Sequence, residues 1–278
     1  MKWNIVSDSS CDIFKLDNLG EDVEFSTVPF VMTIDGVDYV DDENINLDEM
    51  IDAMYASKNA SLTACPSPET WYNEFSKEGY SCAVTITSSL SGSYNSAVAA
   101  KDMILEDNPD KKVLIVDSLS TGPSPILILK KLNELISEGL DFDEVSNKIK
   151  EYQKSVHTLF ALSSFDNLVK NGRMNKMAGF VAHKLGLIGV GEATEKGTIG
   201  VKHICRGKKK ALNSIINEIK NIGFSGKEVV ITHCQNSELA ETLKGIIEET
   251  WANISVSIHP TRGLCSFYAE RFGLIIAF

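Results

Sequence analysis

Apolar and polar positions along this chain follow two periods. Short apolar runs at 3–6, 23–28, 82–87, 113–116, 158–162, 229–232, 254–258 and 274–278 are rich in Val and Ile and are bounded by Asp, Ser or Gly. That is the signature of buried strands. Helical spacing fills the gaps between them. Leu239, Leu243, Ile246, Ile247 and Trp251 form one apolar stripe. Ser67-Pro68-Glu69 supplies a capping residue, a proline at the first helical position and an acid in the first turn. Further amphipathic segments run from Leu47 and from Ala211. Asp35-Gly36, between alternating residues, predicts a tight hairpin, and the segment around Gly197 predicts a second, weaker one.

Strands alternating with helices predict an α/β fold with largely parallel sheets. The charged helical segment ending near Ser155 marks the best boundary, which divides the chain into two α/β domains, 1–155 and 156–278. A crevice between two such domains is a usual place for a small ligand. The composition fits: 278 residues, 43% hydrophobic and 23% charged, describe an ordinary globular chain. A formal net charge of −11 argues against nucleic acid as a partner, because that binding requires clustered positive charge. No run approaches the ~20 apolar residues of a membrane span. The opening MKWNIVSDSS predicts a strand rather than a signal peptide. Six cysteines without a C-x-x-C pattern predict a reduced, cytoplasmic chain with no metal site, Cys82 and Cys234 being small core residues.

The common catalytic signatures fail. There is no G-x-S-x-G, H-E-x-x-H or G-x-x-x-x-G-K-[ST], and GVGEAT at Gly189 carries Thr194 where a dinucleotide loop needs a third small residue. The five histidines are scattered. One segment stands out. After CAVTIT come Ser88, Ser89, Ser91 and Gly92, and then a helix begins. Free N–H groups at a helix start bind anions such as carboxylate or phosphate, and Ser-Gly lets a ligand come close. The same residues also cap helices with no ligand. Thr63 precedes Pro66 and Pro68, Arg173 sits in the polar turn NGRMNK, and Arg206 is followed by Lys208, Lys209 and Lys210 in the first turn of a predicted helix. Cations are disfavoured at that end, so the cluster suggests an acidic partner.

Taken in order, IVSDSSCDI, VPFVMTIDGVDYVDD, LTACPSPE, ITSSLSGSYNSA, VLIVDSLSTGP, NGRMNK, RGKKKAL and VVITHCQNSELAETL resemble the DegV family of bacterial fatty-acid-binding proteins over essentially the whole chain. The resemblance implies one long-chain fatty acid held between the domains and a role like that of the carrier subunit of a fatty acid kinase. In that scheme a separate ATP-dependent kinase phosphorylates the carboxylate, and the carrier is not an enzyme and has no cofactor beyond the lipid. Carried over by motif, Thr63, Ser91 and Gly92 would bind the carboxylate, while Arg173 and Arg206 would belong to the kinase-docking or phosphoryl-transfer surface. Ala64 and Cys65 replace the usual Ser and Gln after Thr63. Near the C-terminus, aligning Gly263 and Gly273 puts Ala269 at the family's carboxylate-binding His position and Phe272 at its Pro position. Arg262 and Arg271 are then the candidate replacement donors. Two readings follow: the carboxylate is held differently, or the protein binds without supporting phosphorylation. Two further functions stay open on the residues alone. One is a regulatory protein binding another small anion or lipid, and the other is a hydrolase or acyltransferase using Ser91. The tunnel is expected to draw on the apolar segment from Met177.

Overall fold

The computed structural model describes residues 1–175 and 186–278. Three sheets organise them. The first has four parallel strands in the order β2 (Val23–Val28), β1 (Trp3–Asp8), β6 (Tyr80–Thr85) and β7 (Val113–Asp117). A three-stranded antiparallel sheet follows, β4 (Val37–Val40), β3 (Val31–Ile34) and β5 (Leu62–Ala64), with Asp35-Gly36 as the β3–β4 turn. The third has six strands in the order β10 (Ile199–Arg206), β9 (Leu187–Ala193), β8 (Thr158–Leu162), β13 (Leu274–Ala277), β11 (Glu228–His233) and β12 (Ser255–Pro260).

The helices are α1 (Leu47–Ala56), α2 (Pro68–Phe75), α3 (Ser93–Asp107), α4 (Pro123–Ser137), α5 (Phe142–Ser155), α6 (Asp166–Lys170), α7 (Lys208–Ile222), α8 (Ser237–Thr250) and α9 (Gly263–Ala269), among the described residues. The capped helix expected after Ser67 is α2, and the Ser67 hydroxyl accepts from the Thr70 N–H at 3.2 Å. Lys208 to Lys210 do open α7.

The fold is α/β, but its sheets differ in a way that strand–helix alternation hides. The first sheet is wholly parallel, as that alternation predicts. In the six-stranded sheet only β11 and β12 run parallel. The C-terminal strand β13 inserts antiparallel between β8 and β11, and β9–β10 is a long hairpin turning at Gly197. Pairing order across a sheet is a long-range property that local periodicity does not encode.

Helices α2 and α3 cover one face of the first sheet, through Trp71, Phe75, Ala97 and Ala100 packed on Val6 and Ala83. Helix α4 covers the other face. Its sequence, PSPILILKKLNELIS, is buried on almost every side, because it also packs against Val230 and Ala277 of the six-stranded sheet. It is the wedge between the two large sheets. Helices α7 and α8 cover the outer face of the six-stranded sheet. A separate apolar cluster joins Phe30 and Met32 of the small-sheet region, Phe160, Leu162 and Ile275 of the six-stranded sheet, and Leu264, Cys265, Phe267 and Ala269 of α9.

The start of α9 is drawn close to the small sheet. The Gly263 and Leu264 N–H groups donate to the two oxygens of Asp41 at 2.8 and 3.0 Å. A Cβ at Gly263 would fall 2.5 Å from Met32 Cε and 2.9 Å from Asp41 Cγ, so only glycine permits this approach. Beside it, Arg262 is buried. It lies 3.5 Å from Asp41 through Nε, donates to the carbonyls of Ile13 and Asp41, and stacks on the Phe14 ring. Its own N–H donates to Asp12 at 2.7 Å.

Candidate functional site

Where the apolar cluster meets the C-terminal ends of the parallel strands, a cavity opens. With its mouth it encloses about 860 Å³ of atom-free space. Phe30, Ile86, Phe160, Leu162, Leu168 and Ile275 supply apolar wall. Thr63, Ser91, Arg173, Tyr268 and Ala269 also line it.

Ser91 is placed by one buried carboxylate. Asp8, at the end of β1, accepts from the Ile86 N–H at 3.0 Å and from the Ser93 hydroxyl at 2.6 Å, which ties both ends of the β6–α3 turn to one side chain. Ser10 donates to its other oxygen through its hydroxyl, at 2.5 Å. Burial pushes the Asp8 carboxyl up from its ordinary range, and these hydrogen bonds oppose the shift. Within the turn, the Ser93 N–H donates to Ser91 Oγ at 3.2 Å. The Ser91 hydroxyl therefore keeps its own proton to give. None of the described residues lining the cavity is a histidine.

Thr63 sits mid-strand in β5, opposite Met32. Its hydroxyl pairs with the Tyr268 phenol at 2.9 Å. Burial pushes the Tyr268 hydroxyl up from its ordinary pKa, while the Thr63 bond and the Arg173 charge pull it down. Arg173 is tethered by donating to the Leu90 and Asn171 carbonyls at 3.2 and 2.5 Å, which leaves its cation at the channel wall.

The structure thus brings Thr63, Ser91 and Arg173 to one cavity. Gly92 caps α3 at a φ of −76° and is not among the lining residues; a Cβ there would meet only Cys65 Sγ, at 3.4 Å. Arg206 stands apart at the end of β10, exposed and paired with Leu187. Nearby, Lys208 and Lys209 rim a surface groove between α7 and α8 that also presents Glu238. Residues 177–185 of the apolar segment expected to line the tunnel lie outside the described residues; beyond them, Ile188 and Val190 pack in the core under α7.

Ala269 does line the channel and offers no donor. Neither Arg262 nor Arg271 replaces one. Arg262 is spent on the interface with Asp41, and Arg271 is held on the surface by Asp52 and Gln235 over the Tyr55 ring. The polar group that sequence reasoning missed is Tyr268. The available signal was a hydroxyl-bearing aromatic one residue before Ala269. All six cysteines are free, with Cys82 and Cys234 buried in the core. Among the described residues no His/Cys/Asp/Glu group is arranged to hold a metal ion, and no helix is long and apolar enough to cross a membrane.

A family model described as "Uncharacterised protein, DegV family" matches residues 2–275. The chain belongs to the DegV family. It is 41% identical over 278 residues to a DegV domain-containing protein of Streptococcus gordonii, covering 100% of this chain and 99% of that relative. It is also similar to the crystal structure of the Streptococcus pneumoniae fatty acid kinase (Fak) B3 protein loaded with linoleic acid, with a TM-score of 0.98, 40% identity, and coverage of 100% of this chain and 99% of the other. A DegV family protein from Eubacterium eligens loaded with heptadecanoic acid matches with a TM-score of 0.95 and 35% identity, over 99% and 98% of the two chains. The DegV resemblance of the sequence motifs is therefore correct over the whole chain.

Proposed function

We propose that this DegV protein is a non-catalytic carrier that holds one long-chain fatty acid in the channel and presents its carboxylate, at the Thr63–Ser91–Arg173 end, to a separate ATP-dependent fatty acid kinase. The observation that carries this reading is a largely apolar cavity to which Thr63, Ser91 and Arg173 all contribute, beside the start of α3. The relatives loaded with linoleic and heptadecanoic acid support the ligand, and the Fak B3 name of one supports the kinase partner.

The energetics favour such a division of labour. Each buried methylene contributes about 0.8 kcal/mol, so a long acyl chain offers on the order of 10 kcal/mol before the costs of association. The tail sets affinity. The head needs orientation and satisfied hydrogen bonds, since a buried unpaired carboxylate is costly. The Ser91 hydroxyl supplies one donor, and Arg173 supplies charge. We place the protein in the cytoplasm, beside such a kinase. Arg206, with the lysines that open α7, belongs in this reading to the partner's docking face.

Native mass spectrometry and solvent extraction of the purified protein test the proposal. A bound long-chain fatty acid is the expected finding, and protein that stays empty under excess lipid would sink it. Ser91→Ala is expected to lower kinase-dependent phosphorylation of the bound lipid about tenfold or more while leaving most tail affinity, because one hydrogen bond to a charged group is lost and the channel is not.

A further inference from the structure

The fatty-acid reading leaves open which group meets the carboxylate where Ala269 offers none. The Thr63 and Tyr268 hydroxyls share one hydrogen bond of 2.9 Å. Two protons serve one bond, so one remains to be donated, and no other acceptor engages either group among the described residues. A second hydroxyl pair on the channel wall, Ser120 and Thr158 at 2.7 Å, is less free, because Ser120 also donates to the Thr121 carbonyl at 3.5 Å. The Thr63 and Tyr268 hydroxyls, by contrast, bond only to each other among the described residues, on a cavity wall that also carries Arg173 and Ser91. An anion is drawn to that pair.

The direction of the shared bond follows from acidity. A phenol is a far stronger acid than an aliphatic hydroxyl, and the stronger donor gains more from an ionised acceptor. Thr63 then donates to the phenol oxygen, which sharpens the phenol as a donor in turn. We propose that the Tyr268 phenol donates directly to the ligand's carboxylate, and that Thr63 acts largely through Tyr268 as a positioning residue. The ring is fixed for the task. Tyr268 packs edge-on against Phe267 with centroids 5.0 Å apart, at the end of a helix whose start is clamped by Asp41. Burial keeps the phenol protonated at neutral pH, so the head is held by a neutral donor with Arg173 as the nearby cation.

The test compares linoleic acid with linoleyl alcohol, which share a tail and differ in the head. Displacement of bound lipid by each is followed by native mass spectrometry on the full chain. Tyr268→Phe keeps the ring and its packing, and its melting temperature reports that the fold is intact. The preference for acid over alcohol is expected to fall about tenfold or more in Tyr268→Phe and only a few-fold in Thr63→Val, where the phenol still reaches the carboxylate. A ring that only packs would leave the acid-to-alcohol ratio unchanged. An unchanged ratio in Tyr268→Phe, or a larger loss in Thr63→Val than in Tyr268→Phe, overturns the assignment. Native protein that takes up neither lipid defeats the fatty-acid reading itself, so the two failures are distinct.

Discussion

Helix α9 has two polar ends that solve opposite problems. At its start, Asp41, Arg262 and Asp12 form a buried seam whose groups are largely consumed by one another: the Asp41 oxygens by two helix N–H groups, the Arg262 fork by carbonyls and a ring, and one Asp12 oxygen by the Arg262 N–H. At its end, Tyr268 meets Thr63 on the channel wall with a proton left over. The first arrangement holds layers together, and the second waits for something. A donor left over on the channel wall, rather than polarity or burial alone, separates a binding group from a structural one. It is why Arg262, although charged and close in sequence, is not a headgroup ligand.

The contrast can be broken at the seam first. Arg262→Ala leaves Asp41 buried without its countercharge, and removing one member of a buried pair costs about 3–5 kcal/mol. Urea unfolding should show that loss, with the acid-to-alcohol preference of the folded fraction unchanged. A stable variant with altered headgroup selectivity would reverse the roles assigned to the two ends.

The seam also carries a burden that pH exposes. Burial pushes the Asp12 carboxyl from the usual 3.8 up to about 7, against the pull of the Arg262 N–H. The Thr232 hydroxyl and the Cys265 thiol lie against the same carboxyl and also oppose the rise. The folded chain thus keeps a proton that the unfolded chain has released. This residue's share of stability declines as pH rises from about 4 to about 7 and is level above that. Asp12→Asn, tolerated at its left-handed φ of 58°, should remove that decline. The gain is expected to be absent at pH 4 and as large as about 4 kcal/mol at pH 8. Parallel pH profiles for variant and native protein would show that Asp12 is ionised throughout.

The smallest effect sharpens the channel end. A Cβ at Gly191 would fall 2.2 Å from the Gly200 carbonyl oxygen and 2.4 Å from the Phe160 ring, which is channel wall. Gly191→Ala should cost about 1–3 kcal/mol by overpacking. It should also press Phe160 into the channel, shifting preference toward shorter acyl chains in a competition series. An unchanged length profile would place Phe160 outside the path of the tail.

Much of this architecture was legible. The apolar runs at 23–28 and 158–162 are strands at those bounds, and the runs at 82–87 and 254–258 shift by two residues or fewer. Strand β5, at three residues, was too short to show a period, yet it carries Thr63. Strand direction was invisible as well, because β13 takes its direction from pairing with β8 and β11, which are distant in sequence. At the site, Ser91 announced itself through a strand–turn–helix pattern, whose mechanism is local. Tyr268 did not, because its meaning lies in a bond to a residue 205 positions away.

Helix α4 has a last consequence, for traffic. Leu and Ile side chains on opposite flanks of this one rod belong to both large sheets at once. Hinging the halves apart would bare them to water at about 1.5–3 kcal/mol for each large residue. Cargo exchange by gaping is thereby penalised far beyond ordinary thermal fluctuation. The two large sheets are held as one unit around the channel.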